Sequence, residues 1–312
     1  MTVTTVIPHR DLASRYKGKH SVTVFCMKIA IWASLLLIGG TLALSDSLMV
    51  TALGVLLLGA MFAHGVEIQH QVLHGQGLKN KVAHEAIGVL LGVPMLVSYA
   101  SYQASHLKHH RYLGTPNNTE FFDYGDQYGG SFSASAGVWL NRLLMPAHYA
   151  EFAKGVLRSF FGKDDGINTP RTNKRIRRDY RIIFVMLAGS VGTSIFMNSA
   201  AILWLWIIPL FLVAAPIHAL VELPEHYKCN TDSTDVFENT RTISASPLLI
   251  WFTNGNNFHT EHHMLPSIPI DRLEEVHYEI RDQAIFSHPS YKDFFKKLWK
   301  GQLSSNIPIT KS

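Results

Sequence analysis

Residues 22–66 read VTVFCMKIAIWASLLLIGGTLALSDSLMVTALGVLLLGAMFAHGV, and the way this stretch divides decides the fold class. A helix needs about 20 apolar residues to cross roughly 30 Å of hydrocarbon. Val22–Leu44 and Leu48–Val66 are of that length, with Ser45, Asp46 and Ser47 as the polar turn between them and Lys28 close enough to one end to snorkel. Two such runs back to back are a transmembrane hairpin. Ile182–Val221 repeats the pattern as a charge-free stretch that can reverse at Met197, Asn198 and Ser199. The expected fold is all-α, an integral membrane helical protein with two hairpins and spans at about 22–44, 48–66, 182–197 and 200–221.

Composition agrees. Charged residues make up 16% of the 312, against roughly 25% in ordinary soluble domains. Apolar residues reach 47%, which excludes disorder and low-complexity classes, while a mean hydropathy of only +0.10 leaves much of the chain in water. Cys26 and Cys229 are too few for a disulfide framework or a cysteine metal cluster. The net charge of +5 has no basic run interleaved with stacking aromatics, so it does not point to nucleic acid. Lys and Arg are instead sparse in both hairpin turns. They are dense before the first span (Arg10, Arg15, Lys17, Lys19) and from Lys108 to Arg181, where Arg171, Lys174, Arg175, Arg177, Arg178 and Arg181 cluster in what reads as a loop. The positive-inside rule then puts the N-terminus, this central segment and the C-terminal third in the cytoplasm, with a bacterial inner membrane the expected location. The start of the chain lacks the h-region and cleavage site of a signal peptide.

Seventeen histidines are the outstanding count, and eight fall in three short motifs: His70 and His74 in HQVLH, His106, His109 and His110 in HLKHH, and His259, His262 and His263 in HTEHH. At this histidine frequency, one H-x-x-H-H is expected about 0.05 times by chance. Helical positions i, i+3 and i+4 share a face, so each motif aims two or three imidazoles one way. Eight imidazoles exceed the needs of one ion and suit two adjacent ones, and imidazole is compatible with Fe, Zn, Cu or Ni. For the motifs to meet, an even number of crossings must separate them. The uncharged stretch Ala86–Ser105, which contains Pro94, is therefore expected to be re-entrant or interfacial. Gln71 occupies the place of the general-base Glu in an H-E-x-x-H protease, which argues against that hydrolysis. His64 and His218 are read as packing residues, and His9, His20, His84, His148, His277 and His288 as solvated or local structural ones. A metal transporter would place its ligands within the spans, whereas these motifs lie just beyond them.

The motifs His70–Gly75 (H-x-x-x-H-G), His106–Tyr112 (H-x-x-H-H-R-Y) and His259–Pro269 (HTEHHMLPSIP) resemble the three histidine boxes of the membrane fatty acid desaturase family, which includes acyl desaturases, hydroxylases and carotenoid ketolases. The resemblance covers most of the chain and implies a single membrane domain over 1–312, with a cytoplasmic helical cap holding two irons that activate O2 as co-substrate. It implies desaturation of an acyl or other lipid-like or carrier-bound chain, with a hydroxylase or ketolase acting on a lipid or amino-acid-derived substrate as the alternative. His226 stands where the family often has a ninth ligand. Glu67, at i+3 and i+7 from His70 and His74, is a candidate to orient a ligand imidazole, and Asn257 a candidate to hold a metal-bound water. Asn117 and Asn118 stand where relatives commonly carry acidic residues. The chain has no iron–sulfur cysteine set or fused cytochrome b5 domain, so a separate ferredoxin-like or cytochrome b5-like electron donor is expected. The Arg171–Arg181 cluster is either its docking patch or an ordinary positive-inside loop.

Overall fold

The computed structural model describes residues 9–16, 18, 20–122, 136–164, 166–230 and 232–303; Lys17, Lys19 and both chain termini, placed above on the cytoplasmic side, lie outside them. In chain order the helices are α1 His9–Tyr16, α2 Val22–Ala43, α3 Leu48–Leu73, α4 Lys81–Gly92, α5 Tyr99–Tyr112, α6 Ala136–Leu144, α7 Pro146–Phe160, α8 Pro170–Phe196, α9 Ala215–Glu222, α10 Val236–Asn239, α11 Pro247–Phe252, α12 His259–Met264, α13 Leu273–Ile280 and α14 Tyr291–Trp299. Among the described residues the strands are β1, Thr242–Ile243, and β2, Ser287–His288, paired in parallel. The chain forms two compact units: a spanning unit, Ser21–Ser105 with Ser133–Leu220, and a histidine unit, Met1–His20, His106–Phe132 and Val221–Ser312.

In the spanning unit, α2 and α3 form the first hairpin. Ser21 caps α2 by accepting from Val24 N at 3.2 Å, and Thr51 Oγ1 ties the turn by donating to Ser45 O at 2.8 Å. The two helices approach so closely that a Cβ on Gly54 would lie 2.2 Å from Ala43 N; small residues permit such packing where lipid supplies no hydrophobic drive. Among the described residues, four segments are long and apolar enough to cross a membrane: α2, α3, α8 and Leu203–Glu222.

The third of these departs from the sequence boundary. α8 begins at Pro170 rather than Ile182, so the Arg171–Arg181 cluster, read as loop, is helical. The cause is a start signal that hydropathy overlooks. Thr169 Oγ1 accepts from Thr172 N at 3.2 Å, and Pro170 occupies the first helical position, where its missing N–H is no loss. The arginines also have partners within this unit. Glu85 takes Arg175 Nε at 3.0 Å and an Arg178 N–H at 2.8 Å, while Arg177 pairs with Asp164. Asn198, at φ 46°, turns the second hairpin at the expected place. The returning strand of that hairpin is not regular α-helix: Leu203–Ile207 and Pro209–Ala214 are π-helical, because Pro209 has no N–H to give to the α ladder.

α4 and α5 meet at 95°. Pro94 interrupts the ladder, Leu96 turns left-handed at φ 60°, and Val97 N closes back on Gly92 O at 2.9 Å. Gly92 is required there, since a Cβ would sit 2.2 Å from Val97 O. Asp179, fully buried on α8, accepts from Ala100 N at 2.8 Å and so satisfies a free N–H in the first turn of α5.

The histidine unit has its own apolar cluster of Leu12 and Tyr16 from α1 with Phe258, Met264, Ile268, Ile270, Leu273, Val276 and Ile280. Arg15 and Tyr16 both reach Glu279, Arg15 at 2.6 Å, which fixes α1 against α13. Arg241 is buried with its guanidinium 5.5 Å from the Phe286 ring and 5.0 Å from that of Phe294, and it donates to Pro224 O.

Candidate metal centre

Seven of the nine candidate histidines lie in the histidine unit and form two groups. The ring nitrogens of His109, His226, His259 and His263 lie within 4.8 Å of one another, and so do those of His106, His110 and His262. The groups adjoin, since the His110 and His263 rings stack at 4.2 Å between centroids. α5 presents the second box at i, i+3 and i+4, α12 presents the third, and His226 follows the end of α9. The remaining pair, His70 and His74, belongs to the spanning unit at the C-terminal end of α3, with ring centroids 5.0 Å apart.

Tautomers decide what the larger group can do. His226 Nδ1 lies 2.8 Å from Asn239 O, which can only accept, so Nδ1 carries the proton and Nε2 presents a lone pair. His109 Nδ1 lies 2.9 Å from Asn118 Oδ1 and 3.4 Å from Glu120 Oε2, which assigns its proton to Nδ1 as well. Yet His109 Nε2 and His226 Nε2 are 3.0 Å apart, and His259 Nε2 is 2.9 Å from the same His226 atom. Two lone pairs at that separation repel unless a cation lies between them. In the other group, His106 and His110 bring their Nε2 atoms to 2.9 Å while Glu120 Oε2 faces His106 Nδ1 at 3.6 Å. Burial, then the neighbouring His109, pushes His226 down to about 3. Burial, then His110 and His259, holds His263 well below the usual imidazole range. Both are therefore neutral near pH 7, the form that binds metal. Buried imidazoles with converging lone pairs fit a metal ion.

The other candidates are placed as follows. Glu67, on α3, lies 3.8 Å from Nδ1 of His218, which is fully buried in the spanning unit. Asn257 accepts from Thr253 Oγ1 at 2.9 Å and donates to Ile243 O at 2.8 Å, so both ends of its amide hold the loop before α12 to the protein. His84 and His148 donate to backbone carbonyls, Val72 O and Met95 O, each at 2.9 Å. Sequence reasoning missed Glu120 and Glu225, the latter 3.5 Å from His259 Nε2. It noted Asn118 only as a departure from relatives, but the turn after α5 folds that side chain onto His109. A carboxylate in the polar stretch behind the second box was the available signal for Glu120. His277, read as a solvated or local structural histidine, is buried with Nδ1 2.6 Å from Glu261.

The fatty acid desaturase family model matches residues 46–295. The chain belongs to the fatty acid desaturase family. It is also 24% identical over 250 residues to dihydrorhizobitoxine desaturase of Bradyrhizobium elkanii, a match covering 72% of this chain and 66% of that protein. The chain thus spans just under two thirds of the length of this curated relative. The matched region of this fatty acid desaturase family member contains all three boxes, His226, the second helix of the first hairpin and the whole of the second hairpin.

Proposed function

We propose that this family member is an O2-dependent diiron desaturase of the membrane, inserting a double bond into an acyl or other lipid-like or carrier-bound chain. The observation that carries the reading is the set of buried imidazoles whose Nε2 atoms meet at 2.9–3.0 Å around His226. In this reading His109, His226, His259 and His263 hold one iron. His106, His110 and His262 hold the other, and by the resemblance of the boxes His70 and His74 are metal ligands as well. Imidazole accepts iron among other metals, and iron is the choice here on the resemblance of the three boxes to those of membrane desaturases. When bound, the iron pair supplies activation of O2 to an oxidant able to remove hydrogen from an unactivated C–H bond. The protein's part is preorganisation. Asn118, Glu120 and Asn239 O hold protons on Nδ1 of His109 and His226 so that Nε2 remains a donor lone pair, and burial keeps His226 neutral.

The overall reaction takes two electrons and two protons from outside, and we assign the electrons to a separate ferredoxin-like or cytochrome b5-like donor. The boxes face the cytoplasm in this reading, by the Lys/Arg distribution, and the bent α4–α5 pair is re-entrant rather than a fifth crossing. The relative is named for dihydrorhizobitoxine, so the substrate search should include small metabolites as well as lipids. The test is expression in a host whose lipids and metabolites are profiled by mass spectrometry. A product lighter by two hydrogens is expected, absent from His262→Ala and absent without O2. A product that instead gains one oxygen from labelled O2, with no unsaturated species, would make the enzyme a hydroxylase.

A further inference from the structure

Glu261 lies inside the third box, yet the ligand set does not use it. It is fully buried between His259 and His262 in sequence, and a buried carboxylate is expensive unless hydrogen bonds replace its hydration. Both oxygens are supplied. Thr242 Oγ1 of β1 donates to Oε2 at 2.8 Å, and His277 Nδ1 of α13 donates to Oε1 at 2.6 Å. Successive helical residues turn by about 100°, so if His259, His262 and His263 define one side of α12, Glu261 projects from roughly the opposite side. α12 is six residues long and has no side-chain N-cap, so its own hydrogen bonds do little to fix its rotation. α13 is a firm anchor, because its Leu273, Val276 and Ile280 are buried in the apolar cluster with Phe258 and Met264.

We propose that His277 is a positioning residue for the metal centre: through Glu261 it sets the rotation of α12, and so the aim of His259, His262 and His263. The inference rests on the reading of these three as ligands. His277 also borders a cavity of about 330 Å³ with Ser244, Phe258, Glu274, Tyr278 and Arg281. Truncation to Ala would admit water in place of the Nδ1–H, so the informative variant is His277→Phe, which fills the space without a donor. His277→Gln keeps an N–H.

The experiment measures iron content and iron affinity of the purified full-length protein, with the melting temperature of the iron-free form recorded for each variant. The expected result is iron binding weakened on the order of ten- to a hundredfold in His277→Phe, largely restored in His277→Gln, with iron-free melting temperatures close to the parent's. Should His277→Phe not fold, Thr242→Val removes the other donor and is held to the same expectation. Unchanged iron affinity in an iron-binding parent would overturn the inference and leave the proposed function standing. So would a loss of melting temperature without a change in iron affinity. A parent protein that takes up no iron would instead overturn the proposed function.

Discussion

A histidine binds metal only through a nitrogen that has given up its proton, and Asn118 and Glu120 settle that for His109 by engaging Nδ1 at 2.9 and 3.4 Å. Removing both acceptors with Asn118→Ala and Glu120→Ala frees the ring to rotate and to change tautomer. Iron affinity should fall on the order of ten- to a hundredfold, read by titration of iron into stripped protein. Equal affinity would mean that the ring is held by its packing alone. A second residue-scale prediction concerns His148, where burial pushes the imidazole down from 6.5 to about 4 while Nε2 donates to Met95 O. The unfolded chain takes up a proton near 6.5 and the folded chain only near 4, so the unfolded state binds more protons as pH falls between them. His148 therefore leaves stability unchanged above about 6.5 and erodes it from there down through about 4. His218 is the nearby titratable group acting on it. Denaturation in detergent across that range should show a shallower acid loss for His148→Gln than for the parent.

At the scale of elements, the α4–α5 bend is set by backbone chemistry that hydropathy cannot register. Ala86–Ser105 is uncharged throughout, and a composition window sees a possible span. The 95° turn comes from Pro94, the left-handed Leu96 and the contact of Gly92 with Val97 O. Gly92→Ala would force a Cβ to 2.2 Å from that carbonyl, and it should destabilise the folded protein by about 1–3 kcal/mol, measured by thermal or denaturant unfolding in detergent. A variant as stable as the parent would show that the bend can open at no penalty. The start of α8 gives the complementary lesson. Thr169 followed by Pro170 is a legible helix start, but hydropathy registers only the apolar run from Ile182 and leaves the basic turns before it outside the element.

For the whole molecule, the Lys/Arg distribution makes a topological prediction. In a background with Cys26 and Cys229 replaced, Asp46→Cys should react with an impermeant reagent from outside the cytoplasm, and Leu107→Cys only from within it. Asp46 and Leu107 are both exposed, so each is open to labelling. Labelling of both from one side would refute the proposed orientation. The basic patch on α8 is the place to test docking of the proposed electron donor. Arg175 and Arg178 share Glu85, so reversing them would disturb the packing of α8 on α4. Arg171 and Lys174, exposed in the first turns of α8, are the cleaner positions at which to look for a salt-sensitive change in donor kinetics.

The sequence determined the fold class, because membrane spans are written in continuous apolar length and hairpin turns in small polar residues, both local properties. It also marked eight histidines, since spacing of three and four residues on a helix is itself a statement about one face. The tertiary structure decided which other residues meet those imidazoles. Glu120, Asn239 and Glu225 face His109, His226 and His259 through folded turns, and Glu261 meets His277 from another helix. Hydrogen-bond partners separated by variable loops leave no period in a sequence. They are fixed only when burial forces each polar atom to find a partner in space.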